Sequence, residues 1–195
     1  MKFTKIPSDA FQKLQLNAGI LATEFTPATG TIGESGQIGA TTGGVSFTAK
    51  PTYSDMGASI DNCPPNMKEL VKLDSWEAKM TGTFKTADTA IAKRLCGAAD
   101  IGTTDTTKVT PRNYLKNTDF GDVWFVGDYS DKNGDANGGF IAIKLINALS
   151  TGGFQIKTND KSTGEFPFEF TGYYSMSAQD AVPFELYIAA GTAEA

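Results

Sequence analysis

Histidine is absent from this chain of 195 residues, and cysteine is scarce. Histidine is the commonest general base and metal ligand near neutral pH, so its absence excludes Ser-His-Asp and Cys-His nucleophilic sites. Cys63 and Cys96 are too few for a cysteine-rich zinc site, and their wide spacing favours two reduced thiols over a disulfide. We therefore predict that the chain has no catalytic residues, binds no metal or cofactor, and is not an enzyme.

Arginine is almost as rare, since Arg94 and Arg112 are the two arginines of the chain. The 17 basic residues form no run and are outnumbered by 22 acidic residues, which gives a net charge of -5. A protein that holds phosphates needs clustered Lys and Arg to displace counterions. This composition disfavours stable nucleic-acid binding, although an acidic surface can serve near DNA as a wall that repels it.

Long apolar runs are also missing. The longest, such as 140–143, have the length of a strand and end at a charged residue, Lys144. The first residues are not followed by the apolar core of a signal peptide, and the chain contains no Asn-x-Ser/Thr sequon. We expect a protein that is made and folded in a cytoplasm and does not enter a membrane.

The residues that are present favour short strands joined by turns, with 21 glycines and 13 phenylalanines. One amphipathic helix is predicted, with Thr86 as its N-cap and Gly97 as its stop. Its apolar face is formed by Ala87, Ile91, Leu95 and Ala98. The fold class is mainly β: an antiparallel β-sandwich or open barrel with one flanking α-helix and extended loops or arms, in a single domain over 1–195. Strands are predicted at 18–22, 45–50, 76–84, 123–126, 140–145, 154–157, 165–174 and 183–188.

The remaining stretches have weaker patterns. Residues 8–16 and 68–73 are interpreted as brief helical turns, and 51–65 as irregular chain. Residues 131–138 superficially resemble a calcium loop but lack the glutamate that a calcium site needs at position twelve. The Asn133-Gly134 and Asn137-Gly138 pairs are instead typical of a hairpin turn.

A Gly/Thr-rich arm or loop is predicted at about 24–44, because large apolar residues are few between Thr26 and Gly44. It does not lead into a helix and has no lysine, so it is not a phosphate loop. We interpret it as a candidate assembly arm that becomes ordered against neighbouring subunits. Its glycines recur at every third position: Gly30, Gly33, Gly36 and Gly39.

Two predicted strands carry acidic residues opposite an apolar face. Glu77 lies on the 76–84 strand, and Glu165 and Glu169 lie on the 165–174 strand. If these faces line a channel for DNA, carboxylates would repel the phosphates and prevent sticking. An ordinary solvated strand face is an equal alternative interpretation of the same pattern.

The order of several motifs along the chain resembles the major tail proteins of siphophage-type tails in prophages of Gram-positive bacteria. Each motif consists of residues suited to packing and contains no catalytic or binding group. The resemblance therefore depends on the order of the motifs, and it covers nearly the whole chain. The motifs are FQKLQLNAG at 11–19, GGVSF at 43–47, DSWEA at 74–78, FIAI at 140–143, FEFTGYY at 168–174 and PFE at 183–185.

The resemblance implies a structural virion protein that self-assembles into hexameric rings stacked as the tail tube of a long-tailed bacteriophage. Its partners would be copies of itself and other tail proteins, such as the tape measure and the tail terminator. DNA would pass through the tube without specific binding. The protein would be assembled in the bacterial host cytoplasm and reside in the virion tail.

Two alternatives remain open at this point. One is a monomeric β-sandwich binding module, for instance for carbohydrate, which would need an exposed aromatic platform from Trp124, Tyr129 or Tyr173. The other is a different virion component, such as a decoration or head–tail joining protein.

Overall fold

Antiparallel β-structure dominates the chain, which confirms the predicted fold class. The computed structural model describes residues 6–7, 10–15, 17–33, 36–129, 139–158 and 160–190. The strands are β1 (Ile20–Ala22), β2 (Phe25–Thr26), β3 (Thr31–Ile32), β4 (Gln37–Gly39), β5 (Thr41–Asp55), β6 (Val71–Phe84), β7 (Ala99–Ile101), β8 (Val109–Pro111), β9 (Gly121–Tyr129), β10 (Gly139–Ser150), β11 (Phe166–Thr171) and β12 (Phe184–Ala189). The one α-helix in the described part of the chain, α1, spans Thr89–Cys96.

The main sheet folds back on itself through β10, a strand long enough to belong to both layers. Its first half, Phe140 to Leu145, pairs with β9 on one side and β12 on the other. Its last residues, Leu149 and Ser150, pair with β11 instead. The first layer therefore runs β4-β1-β9-β10-β12 and the second β10-β11-β6-β5. This arrangement is the predicted antiparallel sandwich.

The principal core fills the space between the two layers. Strands alternate their side chains between faces, so every second residue of β6, β9 and β11 points inward. Phe84, Met80 and Phe170 are almost fully buried there, facing Val123 and Leu145 of the other layer. Burying each large apolar side chain stabilises the subunit by about 1.5–3 kcal/mol. The apolar alternation seen in the sequence thus marks real core positions.

A second, smaller core covers the opposite face of the first layer. The β2–β3 hairpin lies over β9 and β10, so that Phe25 packs edge-on against Trp124 and Phe140. Trp124 is buried, with 6% of its surface exposed. This layer is built from chain that the sequence had indicated to be a loop.

Helix α1 closes one end of the sandwich through Ile91 and Leu95, which join the principal core. Its N-cap is Asp88, whose side chain accepts a hydrogen bond from the Ile91 N–H at 2.7 Å. The prediction of Thr86 as the cap is therefore wrong, because the Thr86 hydroxyl accepts from the Ala40 N–H instead. Gly97 ends the helix at a positive φ of 73°, as predicted.

The β5–β6 hairpin is longer than the sequence indicated. Strand pairing continues as far as Asp55 and Val71, so the predictions of irregular chain from 51 and of a helical turn at 68–73 are wrong there. Pro51 is tolerated because β5 is an edge strand. The predicted strand at 154–157 is reduced to one bridge between Lys157 and Glu165. Within 8–16, Ala10–Lys13 form a 3-10 turn.

The turn predicted for residues 131–138 lies outside the described residues, although β9 and β10 pair as the hairpin requires. Nowhere in the described ranges is a helix both long and apolar enough to cross a membrane.

Gly39 is a close-approach position where β4 passes under α1. A Cβ at Gly39 would lie 2.8 Å from Thr86 Oγ1 and 2.9 Å from Ile91 Cδ1. We expect Gly39→Ala to destabilise the subunit by about 1–3 kcal/mol, the usual cost of overpacking. Thermal unfolding measures the effect. Gly33→Ala is the matched control, because its Cβ would meet only Glu24 Oε2 at 3.6 Å; equal melting temperatures for the two variants would contradict the packing described here.

Candidate assembly surfaces

The end of the β5–β6 hairpin projects beyond the sandwich as a two-stranded ribbon. Strand β11 pairs with β6 only from Lys79 to Phe84, so β6 before Ala78 has β5 as its sole strand partner within the described residues. We call residues 53–73 the hairpin tip. It carries a dense group of exposed large apolar side chains: Tyr53, Met56, Ile60, Met67, Val71 and Leu73.

Specific contacts hold the hairpin tip in one conformation. The Asp55 carboxylate accepts hydrogen bonds from the Gly57 N–H at 2.9 Å and the Asn66 N–H at 3.0 Å. The Met56 N–H donates to the Leu70 carbonyl at 2.9 Å, which closes the base of the loop. A two-stranded ribbon by itself is marginally stable in water. A pre-shaped ribbon with exposed apolar side chains is typical of a surface that is covered by a partner.

Strand β12 offers a second unpartnered feature. It pairs with β10 along one side, and no other described strand pairs with its free edge. Leu186 and Ile188 on this strand are exposed, with 55% and 62% of their surfaces open. A free strand edge with apolar side chains invites pairing with another chain.

The three predicted lumen residues lie on one surface, the outer face of the β5-β6-β11 layer. Glu77 and Glu169 occupy outward positions on β6 and β11, and Glu165 lies just before β11. Thr81 and Thr171 lie between them on the same face. The sequence prediction that these carboxylates share a side is consistent with this register. Whether this face lines a channel stays a prediction.

The same face does not carry an excess of negative charge. Glu77 forms an ion pair with Lys79 at 2.6 Å, and the hydrogen bond from Lys79 holds the pKa of Glu77 below its ordinary value. Glu165 pairs with Lys85 at 3.0 Å, and this hydrogen bond likewise lowers the pKa of Glu165. Glu169 accepts a hydrogen bond from the Thr151 hydroxyl at 2.7 Å. The face that was expected to repel DNA is therefore rich in threonine, and Glu77 and Glu165 on it are each paired with a lysine.

The arm predicted at about 24–44 is largely part of the subunit fold. Residues of β3, β4 and the start of β5 are strands, so the loop interpretation is wrong for them. Gly36 is buried and its carbonyl accepts from the Thr23 N–H at 2.7 Å, while Gly39 lies under α1. Gly30 takes a positive φ in the β2–β3 turn, and Gly33 is exposed. Of the four glycines, only Gly30 and Gly33 remain available for contacts with another subunit.

The aromatic platform needed by a carbohydrate-binding module is not assembled. Trp124 is buried beneath Phe25 and Tyr187. Tyr129 is half-buried, and Tyr173 packs edge-on against Phe120 at a ring separation of 5.6 Å. The three rings therefore do not form one exposed surface.

Clusters of metal-binding side chains do not occur among the described residues. Cys63 and Cys96 are free thiols, as the sequence predicted. Burial raises the pKa of the Cys96 thiol, which keeps it protonated and unreactive.

No protein-family model matches the chain, and no curated protein matches it at a significant level. The function is therefore inferred from the surfaces of the subunit and from the order of its sequence motifs.

Proposed function

We propose that this chain is the structural subunit of a phage tail tube, a protein that assembles with copies of itself into stacked rings of six. The hairpin tip carries this proposal. Six large apolar side chains project from a ribbon that has no other described strand to cover it. Exposed apolar surface of this kind is buried in a functional complex.

The distribution of contact surfaces supports a tube over a closed dimer. The hairpin tip, the free edge of β12 and the polar outer face lie on different parts of the subunit. Different surfaces that meet head to tail generate rings when the rotation closes and filaments when it does not. A tube of stacked rings needs two such contacts, one between neighbouring subunits of a ring and one between successive rings.

The polar face supports passage of DNA without binding. Lys79 and Lys85 are engaged by Glu77 and Glu165, and Lys50 lies beside Glu77, so the described part of this face has no cluster of unpaired cations to hold phosphates. Threonine hydroxyls offer only weak, uncharged contacts. A neutral wall of this kind lets a polyanion slide past without an attractive or repulsive barrier.

The mass of the wild-type particle in solution tests the proposal. We expect sedimentation velocity to show growth from subunits into species of at least hexamer size as the protein concentration is raised. High salt should leave this association largely intact, because the surfaces buried are mainly apolar. A subunit-sized particle at all concentrations would contradict the proposal and favour a monomeric binding module.

A further inference from the structure

An open cleft of about 310 Å³ lies beside the C-terminal end of α1. Lys93 and Arg94 in the last turn of the helix line one side of it, and Ser150 at the end of β10 and Thr118 line the other. Ala148 of the principal core lines part of this cleft, and the hairpin tip does not. The cleft brings two cations together with the Thr118 hydroxyl, a combination that suits a carboxylate or another small anion.

Arg94 lacks the partner that a half-buried arginine normally has. Within the described ranges, no hydrogen bond or ion pair reaches its guanidinium, and burial lowers the pKa of that group. The other arginine of the chain, Arg112, shows the contrast: it contacts Asp119 at 2.5 Å and Asp100 at 2.8 Å. Asp119 also lines the cleft, but its charge is already matched by Arg112. Arg94 is therefore a cation without a counter-ion.

Ser150 lines the cleft but offers it no accessible hydroxyl. Its hydroxyl oxygen is buried and has no hydrogen-bond partner among the described residues. Buried polar groups are almost always satisfied, and leaving one unpaired costs stability. A carboxylate of another chain cannot reach this enclosed oxygen, so in the cleft it is held by the Arg94 guanidinium.

We propose that this cleft binds a carboxylate of a second copy of the chain, and that Asp61 of the hairpin tip supplies it. This inference rests on the proposed self-assembly. It assigns the contact that joins one subunit to the next, with the tip of one copy seated at the α1 end of another.

Asp61 is the acidic residue of the hairpin region that is free to take this role. Asp55 holds the tip together, Asp74 bonds to Ser54, and Glu69 lies 3.5 Å from Lys68. Asp61 is exposed, follows the exposed Ile60, and has no partner in the described part of the chain. A carboxylate beside an apolar side chain loses water when that side chain is buried, which strengthens its attraction to a cation.

The same subunit cannot fill its own cleft. Ser150 pairs with Phe170, which pairs with Met80, so the cleft lies at the level of Met80 along β6. The strand from Met80 back to Leu73, where the hairpin tip begins, is roughly 23 Å long, and Asp61 lies beyond it. The carboxylate must therefore come from another copy, and the contact is head to tail, as a stack requires.

Nucleic acid is a poorer occupant of the cleft. One arginine and one lysine are too few to neutralise a run of phosphates, and the whole chain carries a net charge of -5. A single inorganic phosphate is the remaining competitor, and it is distinguished by experiment.

Exchanging the two charges tests the proposal. The full chain is prepared as wild type, Arg94→Asp, Asp61→Arg and the double variant, and self-association is measured by sedimentation velocity. Each single variant should weaken association by about tenfold or more, because breaking a desolvated interfacial pair costs at least that much. The double variant should recover most of the loss, since the pair is restored with reversed sign. Asp180→Arg, at an exposed position outside the tip, should change little.

The outcomes separate this inference from the proposed function. Failure of the wild type to associate would refute self-assembly itself. If the wild type associates and the single variants associate equally well, the cleft is not an interface. Loss in both single variants without recovery in the double variant would reject Asp61 as the occupant. Protection of the wild type against heat by millimolar phosphate, lost in Arg94→Asp while Asp61→Arg assembles normally, would assign the cleft to phosphate.

Discussion

Replacing Met56, Ile60 and Met67 of the hairpin tip by serine is expected to leave a folded monomer that no longer self-associates. These side chains are 56%, 54% and 41% exposed, so each adds little to the subunit's own core. Burying the exposed part of each in a contact would contribute about 1 kcal/mol, or about 3 kcal/mol together. Because 1.4 kcal/mol is tenfold in affinity, the triple variant should weaken each contact by more than about a hundredfold.

Sedimentation velocity measures the loss, and circular dichroism with thermal unfolding checks the fold. The control is Ile156→Ser with Met176→Ser, two apolar residues that are 58% and 92% exposed away from the tip. The control should associate like the wild type. Normal assembly of the tip variant, or equal loss in both variants, would show that general surface apolarity and not the tip drives association.

Asp119→Ala is expected to cause a large loss of subunit stability, because it breaks the buried ion pair with Arg112. Its side chain is 1% exposed and contacts the Arg112 guanidinium at 2.5 Å, and it also accepts from the Lys116 N–H at 2.7 Å. Removing one charge of a buried ion pair leaves the other charge without that counter-ion. We expect a cost of about 3 kcal/mol, the low end for such pairs, because Asp100 still contacts Arg112. The melting temperature should fall by roughly 6–12 °C.

The pH dependence of this loss identifies its electrostatic origin. Burial alone would raise the pKa of Asp119, but the hydrogen bonds from Lys116 and Arg112 hold it below its ordinary value. A lowered carboxyl pKa stabilises the fold above the unfolded value of about 4, and this stabilisation is lost as the pH falls through the folded value. The difference between wild type and variant should therefore be full near neutrality and shrink in acid. A constant difference, or an equal effect of Asp160→Ala, would contradict the ion-pair explanation.

The sequence predicted the architecture because its strongest patterns come from the core. Alternation from Trp76 to Phe84 identified the central strand, where every second side chain is buried between the layers. Gly97 was identified as the helix stop because a positive φ there favours glycine. The helix N-cap was assigned to the wrong residue, because Thr86 and Asp88 are both good cap residues. The choice between them depends on the chain after β4, where the Ala40 N–H donates to the Thr86 hydroxyl.

The candidate surfaces were harder to predict for a physical reason. Residues 68–73 were interpreted as a helical turn, because so short a segment does not distinguish a helix from a strand, and the sequence does not say whether another layer covers Val71 and Leu73. Both residues are exposed because β11 pairs with β6 only beyond Ala78. The balance of charge around Glu77 and Glu165 likewise depends on which lysines the sheet register places beside them, and composition alone suggested an acidic face.

Negative-stain electron microscopy of the concentrated wild-type protein beside the hairpin-tip triple variant tests self-assembly most directly. Both proteins are first shown to be folded by circular dichroism and are imaged at the same concentration. We predict rings and hollow tubes for the wild type, and single subunits for the variant. A field of isolated subunits from the folded wild type, at concentrations where sedimentation also shows no association, would contradict the assignment of this chain as a tube-forming structural protein.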